Sequence, residues 1–175
     1  MSFYATHLFP HLMDWSMGTR RFQRQRREAL SPLRGEVLEI GFGTGLNLPH
    51  YPAAVSRATA LEPARLLPQK VAGRIATASM PVKIVYGSAE RLPFGDRRFD
   101  CVVSTWTLCT IPDAVAALQE VRRVLKPGGR FAFLEHGRSD SPGIAKWQDR
   151  LNPLQQRIGV GCNMNRAIDP ITPRR

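Results

Sequence analysis

The feature that most limits the fold of this chain is a series of short apolar segments that alternate with helical patterns. Five such segments lie at 37–40, 57–61, 82–86, 99–104 and 131–134. Between them, residues 113–125 have a clear helical spacing of apolar side chains, and residues 64–75 are compatible with a helix. Buried strands that alternate with helices are typical of a parallel sheet covered on both faces. The sequence therefore predicts a doubly wound α/β fold with a mostly parallel sheet.

Length and composition limit the class of protein further. A chain of 175 residues fits a single globular domain. Its hydrophobic fraction of 43% and charged fraction of 22% exclude wholesale disorder. We find no run of 18 apolar residues and no basic start followed by an apolar stretch, so neither a membrane-spanning helix nor a secretory signal is predicted. We expect a cytoplasmic protein.

The charge balance is unusual, because the net charge is +11 and arginine supplies most of the cations. The densest cluster falls within residues 20–27. A basic surface can attract nucleic acid, anionic lipid or acidic substrates, although net charge does not determine the fold. For the cluster itself, we expect a solvated helix face.

The three cysteines, Cys101, Cys109 and Cys162, are too few and too scattered for a disulfide scaffold or a four-ligand zinc site. We predict no metal ligands, and we expect Cys109 to be an inert buried thiol because it lies in an apolar stretch.

A glycine-rich loop follows the first apolar segment, where parallel sheets bind their ligands. Gly41, Gly43 and Gly45 form a G-x-G-x-G pattern. A dinucleotide-binding loop requires its third glycine one position later, and Leu46 stands there. Glu62 ends the second apolar segment, where a carboxylate can accept hydrogen bonds from both ribose hydroxyls. The spacing argues against a nicotinamide oxidoreductase.

Four segments, taken in order, resemble the class I S-adenosylmethionine-dependent methyltransferases. They are VLEIGFGTG at 37–45, ALEPA at 60–64, GSAERLPFGDRRFDCVVSTWTLCTIPD at 87–113 and EVRRVLKPGGRFAFLEHG at 120–137. The resemblance covers about the central 100 residues. It implies a Rossmann-like sheet, S-adenosylmethionine as cofactor and S-adenosylhomocysteine as product.

The resemblance also implies roles for individual residues. The backbone of the glycine loop would lie against the methionine part of the cofactor, Asn47 near its amino-acid end, and Glu62 at the ribose. Ser88 and Ala89 would border the adenine, although many relatives have aspartate at the position of Ser88. The predicted cofactor-binding residues are Glu39, Gly41, Gly43, Gly45, Asn47, Glu62, Pro63, Ser88, Ala89, Thr105 and Trp106.

Two of the predicted functional residues, Trp106 and His136, have a structural alternative. Trp106 either closes the pocket or belongs to the core. His136, with Glu135 beside it after the fifth segment, is the candidate catalytic base. The alternative for His136 is a hydrogen-bonded histidine at a strand end.

A narrower resemblance points to the acceptor. STWTLCTI at 104–111, FLEHG at 133–137 and WQDRLNPLQQRIGVGCNMNR at 147–166 resemble ubiquinone/menaquinone methyltransferases, alkyl-thiol methyltransferases and phospholipid N-methyltransferases. It implies a small-molecule or lipid acceptor: a thiol, a quinol or phenol, or a phospholipid amine. Enzymes that methylate nucleobase amino groups have an Asn/Asp-Pro-Pro-aromatic run after the fourth strand. This sequence lacks that run, which argues against a nucleic-acid partner.

Two other functions remain open. One is a methyltransferase-like protein that binds the cofactor without turnover, and the other is an RNA-binding methyltransferase.

Both ends of the chain bear on these alternatives. Residues 1–34 are predicted to form an aromatic and basic helical arm on a methyltransferase domain at 35–175. That arm is a candidate lid, core element or peripheral membrane contact. Relatives add antiparallel sixth and seventh strands, and the sequence after residue 158 predicts neither. An uncovered sheet edge favours association, so we expect a homodimer.

Overall fold

A computed structural model describes residues 3–168 and confirms the doubly wound α/β fold. Five strands pair in parallel in the order β3-β2-β1-β4-β5. The strands are β1 (Gly35–Ile40), β2 (Val55–Glu62), β3 (Val82–Tyr86), β4 (Phe99–Thr105) and β5 (Leu125–Leu134). The order reverses beside β1, so the loops after β1 and β4 diverge and leave a crevice at the carboxyl ends of the strands.

Helices cover both faces of this sheet. A π-helical turn over Tyr4–Leu8 leads into the first helix, and a 3-10 turn over Leu48–His50 follows the glycine loop. The helices are α1 (Phe9–Met17), α2 (Arg20–Leu30), α3 (Pro68–Ala76), α4 (Ala114–Val124) and α5 (Pro142–Ile158). Asp113 caps α4, because its side chain accepts a hydrogen bond from the Ala116 N–H at 2.9 Å.

Two apolar layers form the core because successive strand residues point to opposite faces. Leu38 and Val102 face one layer, which α4 completes with Ala117, Leu118 and Val121. Val37 and Val103 face the other layer, where they pack with Leu30 of α2 and Val71 of α3. The sheet is therefore buried on both sides and holds the loops at its carboxyl edge in fixed positions.

Two element boundaries differ from the sequence-based expectation by more than two residues. We predicted a helix from about residue 64, but α3 begins at Pro68, after Leu67 adopts a left-handed backbone conformation with φ of 42°. The residues before Pro68 form a loop instead. We also expected β5 to begin at Phe131, whereas it begins at Leu125, which pairs with Phe99 before an irregularity in the register.

Strands β3 and β5 form the edges of the sheet, and residues 3–168 contribute no sixth or seventh strand to it. The segment 169–175, for which no strand was predicted, lies outside the described residues. The homodimer stays a prediction. Over the same described range, no helix combines the length and apolar character that crossing a bilayer requires.

Candidate active site

A cavity of about 500 Å³ lies at the carboxyl ends of β1, β2 and β4. Most of the residues predicted to bind the cofactor line it: Gly41, Gly43, Glu62, Pro63, Ser88, Ala89, Thr105 and Trp106. Protein pockets that bind small molecules commonly have volumes of about 300–1,000 Å³. The structure thus brings together residues from four separate sequence segments around a space of suitable size.

The glycine loop forms one wall, and its three glycines have different roles. All of them have positive φ, at 72° for Gly41, 59° for Gly43 and 82° for Gly45. A Cβ atom on Gly41 would lie 2.2 Å from the Thr107 side chain, and one on Gly45 would lie 2.9 Å from the Phe42 ring. A Cβ on Gly43 would meet no atom within 4 Å. Gly41 and Gly45 are therefore required by packing, whereas Gly43 keeps space open in the cavity.

Glu62 is fixed at the end of β2 by the glycine loop. Its Oε2 accepts a hydrogen bond from the Gly43 N–H at 2.7 Å, and its Oε1 accepts a longer one from the Ala64 N–H at 3.4 Å. Burial raises the pKa of Glu62, while these two hydrogen bonds oppose the shift. Each carboxylate oxygen can accept a further hydrogen bond, so Glu62 can bind the two hydroxyls of a ribose.

One arginine of the basic cluster is buried, so the expectation of a solvated face is wrong at Arg26. Only 6% of Arg26 is exposed. Its Nη1 donates hydrogen bonds to Asn47 Oδ1 at 2.7 Å and to Thr105 Oγ1 at 3.2 Å. The partners that bury Arg26 come from the loop after β1 and from the end of β4.

Glu39 completes this buried network behind the cavity wall. It accepts hydrogen bonds from Asn47 Nδ2 at 2.8 Å and from the Tyr51 hydroxyl at 2.6 Å. Burial raises the pKa of Glu39 to about 7, although both hydrogen bonds and the charge of Arg26 oppose that rise. Glu39, Gly45 and Asn47 do not line the cavity. Within residues 3–168, Glu39 and Asn47 instead position the Arg26 side chain.

The Arg26 guanidinium lies over Trp106, with its central carbon 4.6 Å from the ring centroid. Trp106 lines the cavity, and its backbone is left-handed with a φ of 50°. Burial lowers the pKa of Arg26 to about 10, which leaves the guanidinium charged at neutral pH. Among the described residues, the buried Arg26 Nε has no hydrogen-bond partner. Arg26 also lines the cavity, and a cation at this wall suits a carboxylate.

Asp14 of α1 ties the N-terminal arm to the glycine loop. Its carboxylate accepts hydrogen bonds from Thr44 Oγ1 at 2.6 Å, Lys70 Nζ at 2.8 Å and Arg74 Nη1 at 2.6 Å. Burial by itself raises the pKa of Asp14, but these hydrogen bonds hold it well below its ordinary value. The anchored arm contributes apolar side chains to the cavity wall: Phe9, Pro10, Met13 and Met17.

The region predicted to border the adenine contains a carboxylate after all. Ser88 Oγ donates a hydrogen bond to Glu90 Oε2 at 2.9 Å, and both residues line the cavity. Glu90 also accepts a hydrogen bond from the Asp113 N–H at 2.7 Å. A carboxylate is therefore present beside Ser88, on the side chain of Glu90.

His136 is not among the residues that line the cavity. Its Nε2 lies 3.2 Å from Cys162 Sγ, and this contact raises the pKa of His136. The contact corresponds to the alternative of a bonded histidine at a strand end, and a catalytic role for His136 stays a prediction. Glu135 Oε1 accepts hydrogen bonds from the Thr107 and Leu108 N–H groups at 2.8 and 2.9 Å, and so fixes the loop after β4.

Sequence reasoning missed Asp14 and Arg26, although each left a signal. Arg26 falls at helical spacing between Phe22 and Leu30, which places it on the face of α2 that turns inward. Asp14 is the single acidic residue of an apolar arm and lies one helical turn after Pro10, which is also buried. A charged residue on the same helix face as buried apolar residues is expected to have a buried polar partner.

Comparisons with known proteins agree with this geometry. The methyltransferase domain family matches residues 38–133. Human thiol S-methyltransferase TMT1B is 32% identical over 173 residues, which cover 90% of this chain and 70% of that protein. Phosphatidylethanolamine N-methyltransferase of Cereibacter sphaeroides is 28% identical over 165 residues, covering 92% of this chain and 80% of the relative.

A solved structure agrees in fold. A methyltransferase structure from Bacillus halodurans superposes with a TM-score of 0.70 at 21% identity, and covers 85% of this chain. The match spans 64% of that longer chain. At this level of identity the likeness concerns the arrangement of helices and strands.

Proposed function

We propose that this chain, which belongs to the class I S-adenosylmethionine-dependent methyltransferase family, methylates a small apolar or amphiphilic acceptor. A thiol is the preferred class of acceptor. The observation that carries the proposal is the two-sided cavity. One side consists of the glycine loop and Glu62, and the other consists of apolar side chains of the N-terminal arm.

The polar side fits the cofactor. Gly43 leaves room for its methionine part, Glu62 would hold the ribose hydroxyls, and Arg26 would hold the carboxylate. Glu90, next to Ser88, would accept a hydrogen bond from the adenine amino group. When bound, S-adenosylmethionine supplies an activated methyl group on a sulfonium and leaves as S-adenosylhomocysteine.

The apolar side would orient the acceptor. Met13 and Met17 of α1 face the cavity together with Phe9, and they can exclude water from the reacting atoms. Methyl transfer from a sulfonium depends chiefly on alignment of the acceptor with the methyl group. Apolar walls can provide this alignment without a charged contact.

A thiol is favoured because it needs the least help with its proton. A free thiol has a pKa of about 8.5 and is partly ionised at neutral pH. Asp14 lines the cavity, but it is engaged by Lys70 and Arg74 and would serve poorly as a base. The two relatives described above cover 90% and 92% of this chain and are named as a thiol methyltransferase and a phosphatidylethanolamine methyltransferase. Their names support the thiol and the phospholipid amine as acceptor classes.

The test is transfer of a labelled methyl group from S-adenosylmethionine to an alkyl thiol, a quinol and phosphatidylethanolamine vesicles. We expect the thiol to have the highest kcat/KM. Met13→Gln should raise the KM for the thiol, and Leu12→Gln, at an exposed neighbouring position, should not. Greater activity on the quinol or the phospholipid would refute the thiol preference. S-adenosylhomocysteine binding without product from any acceptor would favour a cofactor-binding protein without turnover.

A further inference from the structure

A cluster of two thiols and one imidazole lies outside the cavity lining. Cys109 follows β4, His136 follows β5 and Cys162 follows α5, so three separate segments converge. Cys162 Sγ lies 3.5 Å from Cys109 Sγ and 3.2 Å from His136 Nε2. All three donor atoms lie within 4.8 Å of one another. Cys109 and Cys162 are therefore far apart in the sequence but adjacent in the structure.

We propose that Cys109, His136 and Cys162 form a binding site for a zinc ion, with a fourth coordination position left open. Thiolate sulfur and imidazole nitrogen are the ligands that zinc prefers in proteins. Three protein ligands with one open position form a known type of zinc site, in which two cysteines and one histidine are an established combination.

The spacing of the donor atoms supports zinc. In tetrahedral zinc, with bonds of about 2.3 Å to sulfur and 2.0–2.1 Å to nitrogen, two sulfurs lie about 3.8 Å apart and sulfur and nitrogen about 3.5 Å apart. The separations in this chain are 3.5 Å and 3.2 Å, respectively. Metal binding would thus move these two pairs of atoms by only a few tenths of an ångström.

A disulfide between the two cysteines fits less well. The two sulfurs would have to approach to about 2.05 Å, whereas they lie 3.5 Å apart. A disulfide would also leave the contact between His136 and Cys162 unexplained. The zinc site uses all three side chains, and two of its three pairs of donor atoms are already close to their tetrahedral separations.

Hydrogen bonds to backbone carbonyls hold two of the three segments together. The N–H of Asn163 and its side-chain Nδ2 both donate hydrogen bonds to the Cys109 carbonyl, each at 3.0 Å. The side chain of Arg166 donates to the carbonyls of Leu108 and Ile111. The segment that carries Cys162 is therefore fixed to the loop that carries Cys109. Such surrounding contacts orient metal ligands and strengthen binding.

The degree of burial suits exchange of an ion with solvent. Cys109 is buried, whereas His136 and Cys162 are only partly covered. An ion could reach the cluster from the side of these two residues. Because Thr107 and Thr110, on the loop of Cys109, line the cavity, a bound ion would also stabilise one wall of the active site.

The experiment is a titration of the reduced, tag-free chain with Co²⁺, followed by displacement with Zn²⁺. We expect one equivalent of Co²⁺ to produce an absorption band of thiolate-to-metal charge transfer, and Zn²⁺ to abolish it. Zn²⁺ should also raise the melting temperature in a concentration-dependent manner, because it binds the folded chain. Cys162→Ser leaves one of the two thiolates, so it should reduce the band and weaken zinc binding at least about 10-fold, as loss of even an outer contact does.

Controls separate this site from thiol binding in general. Cys101→Ala removes the cysteine that is buried in the other core layer, and it should leave the band unchanged. His136→Asn gives a second test if the Cys162 variant loses its far-ultraviolet circular dichroism. The proposal is overturned if the wild-type chain, with three titratable free thiols, gives no thiolate band. Formation of a Cys109–Cys162 disulfide without any metal uptake would equally overturn it.

Discussion

Substitution of Gly43 by alanine separates cofactor binding from folding. A Cβ on Gly43 would meet no protein atom within 4 Å, and its φ is 59°. The added methyl group therefore does not clash with the fold, but it occupies space in the cavity. The backbone cost of a left-handed non-glycine residue is about 1–2 kcal/mol.

Gly128 provides a matched control for this substitution. Its φ is 73°, and a Cβ there would also meet no atom within 4 Å. It lies near the start of β5 and does not line the cavity. Gly128→Ala should thus lower the free energy of unfolding by the same 1–2 kcal/mol, as measured by urea denaturation.

The two variants should differ in ligand binding. Overpacking by one methyl group costs about 1–3 kcal/mol, which corresponds to roughly 5- to 150-fold in affinity. Calorimetric titration should show this loss of S-adenosylhomocysteine affinity for Gly43→Ala and a change of less than about 2-fold for Gly128→Ala. Equal affinity of Gly43→Ala and the wild type, or equal losses in both variants, would refute the assigned position of the cofactor.

Three further predictions concern the buried network and the N-terminal arm. Arg26→Met should weaken S-adenosylhomocysteine binding about 10-fold or more, since a hydrogen bond to a charged group contributes about 1.5–3 kcal/mol. Arg27→Met, at an exposed position, is the control in the same calorimetric titration. Unchanged binding of the Arg26 variant would contradict the role of Arg26. The pKa of Glu39 rises from 4.5 to about 7 in the fold, so the protonated form favours folding. Its contribution of about 3 kcal/mol to the free energy of unfolding is fully present below pH 4.5 and is lost as the pH rises through 7. Glu39→Gln should flatten that dependence in urea denaturation at several pH values, and an equally steep dependence in the variant would contradict the assignment. Finally, Leu8 and Trp15 are exposed apolar side chains of the arm, and they predict that the chain sediments with anionic vesicles. Trp15→Ser should reduce sedimentation, whereas Val115→Ser, at an exposed position of α4, should not; failure of the wild type to sediment would contradict the predicted membrane contact.

Much of the fold could be predicted because local patterns carry it. Strand β4 is an apolar run of the length that a strand has, and α4 combines an N-cap at Asp113 with helical spacing. The glycine loop was informative because positive φ at Gly41, Gly43 and Gly45 is a backbone requirement. These features depend on neighbours that are close in sequence.

The missed features depend on partners that are distant in sequence. Arg26 is buried by Asn47 and Thr105, 21 and 79 residues away. The two cysteines that approach each other are separated by 53 residues. A sequence pattern can show that a charged residue shares a helix face with apolar ones, but the polar partners that bind it follow only from the packing of the elements.

The most direct test of the central claim is a calorimetric titration of the purified chain with S-adenosylhomocysteine, with NADH as the control ligand. The arrangement of Gly43, Glu62 and Arg26 around one cavity predicts saturable binding of S-adenosylhomocysteine at one site, with micromolar affinity, and no binding of NADH. A folded chain that binds NADH, or that binds neither ligand, would contradict the account.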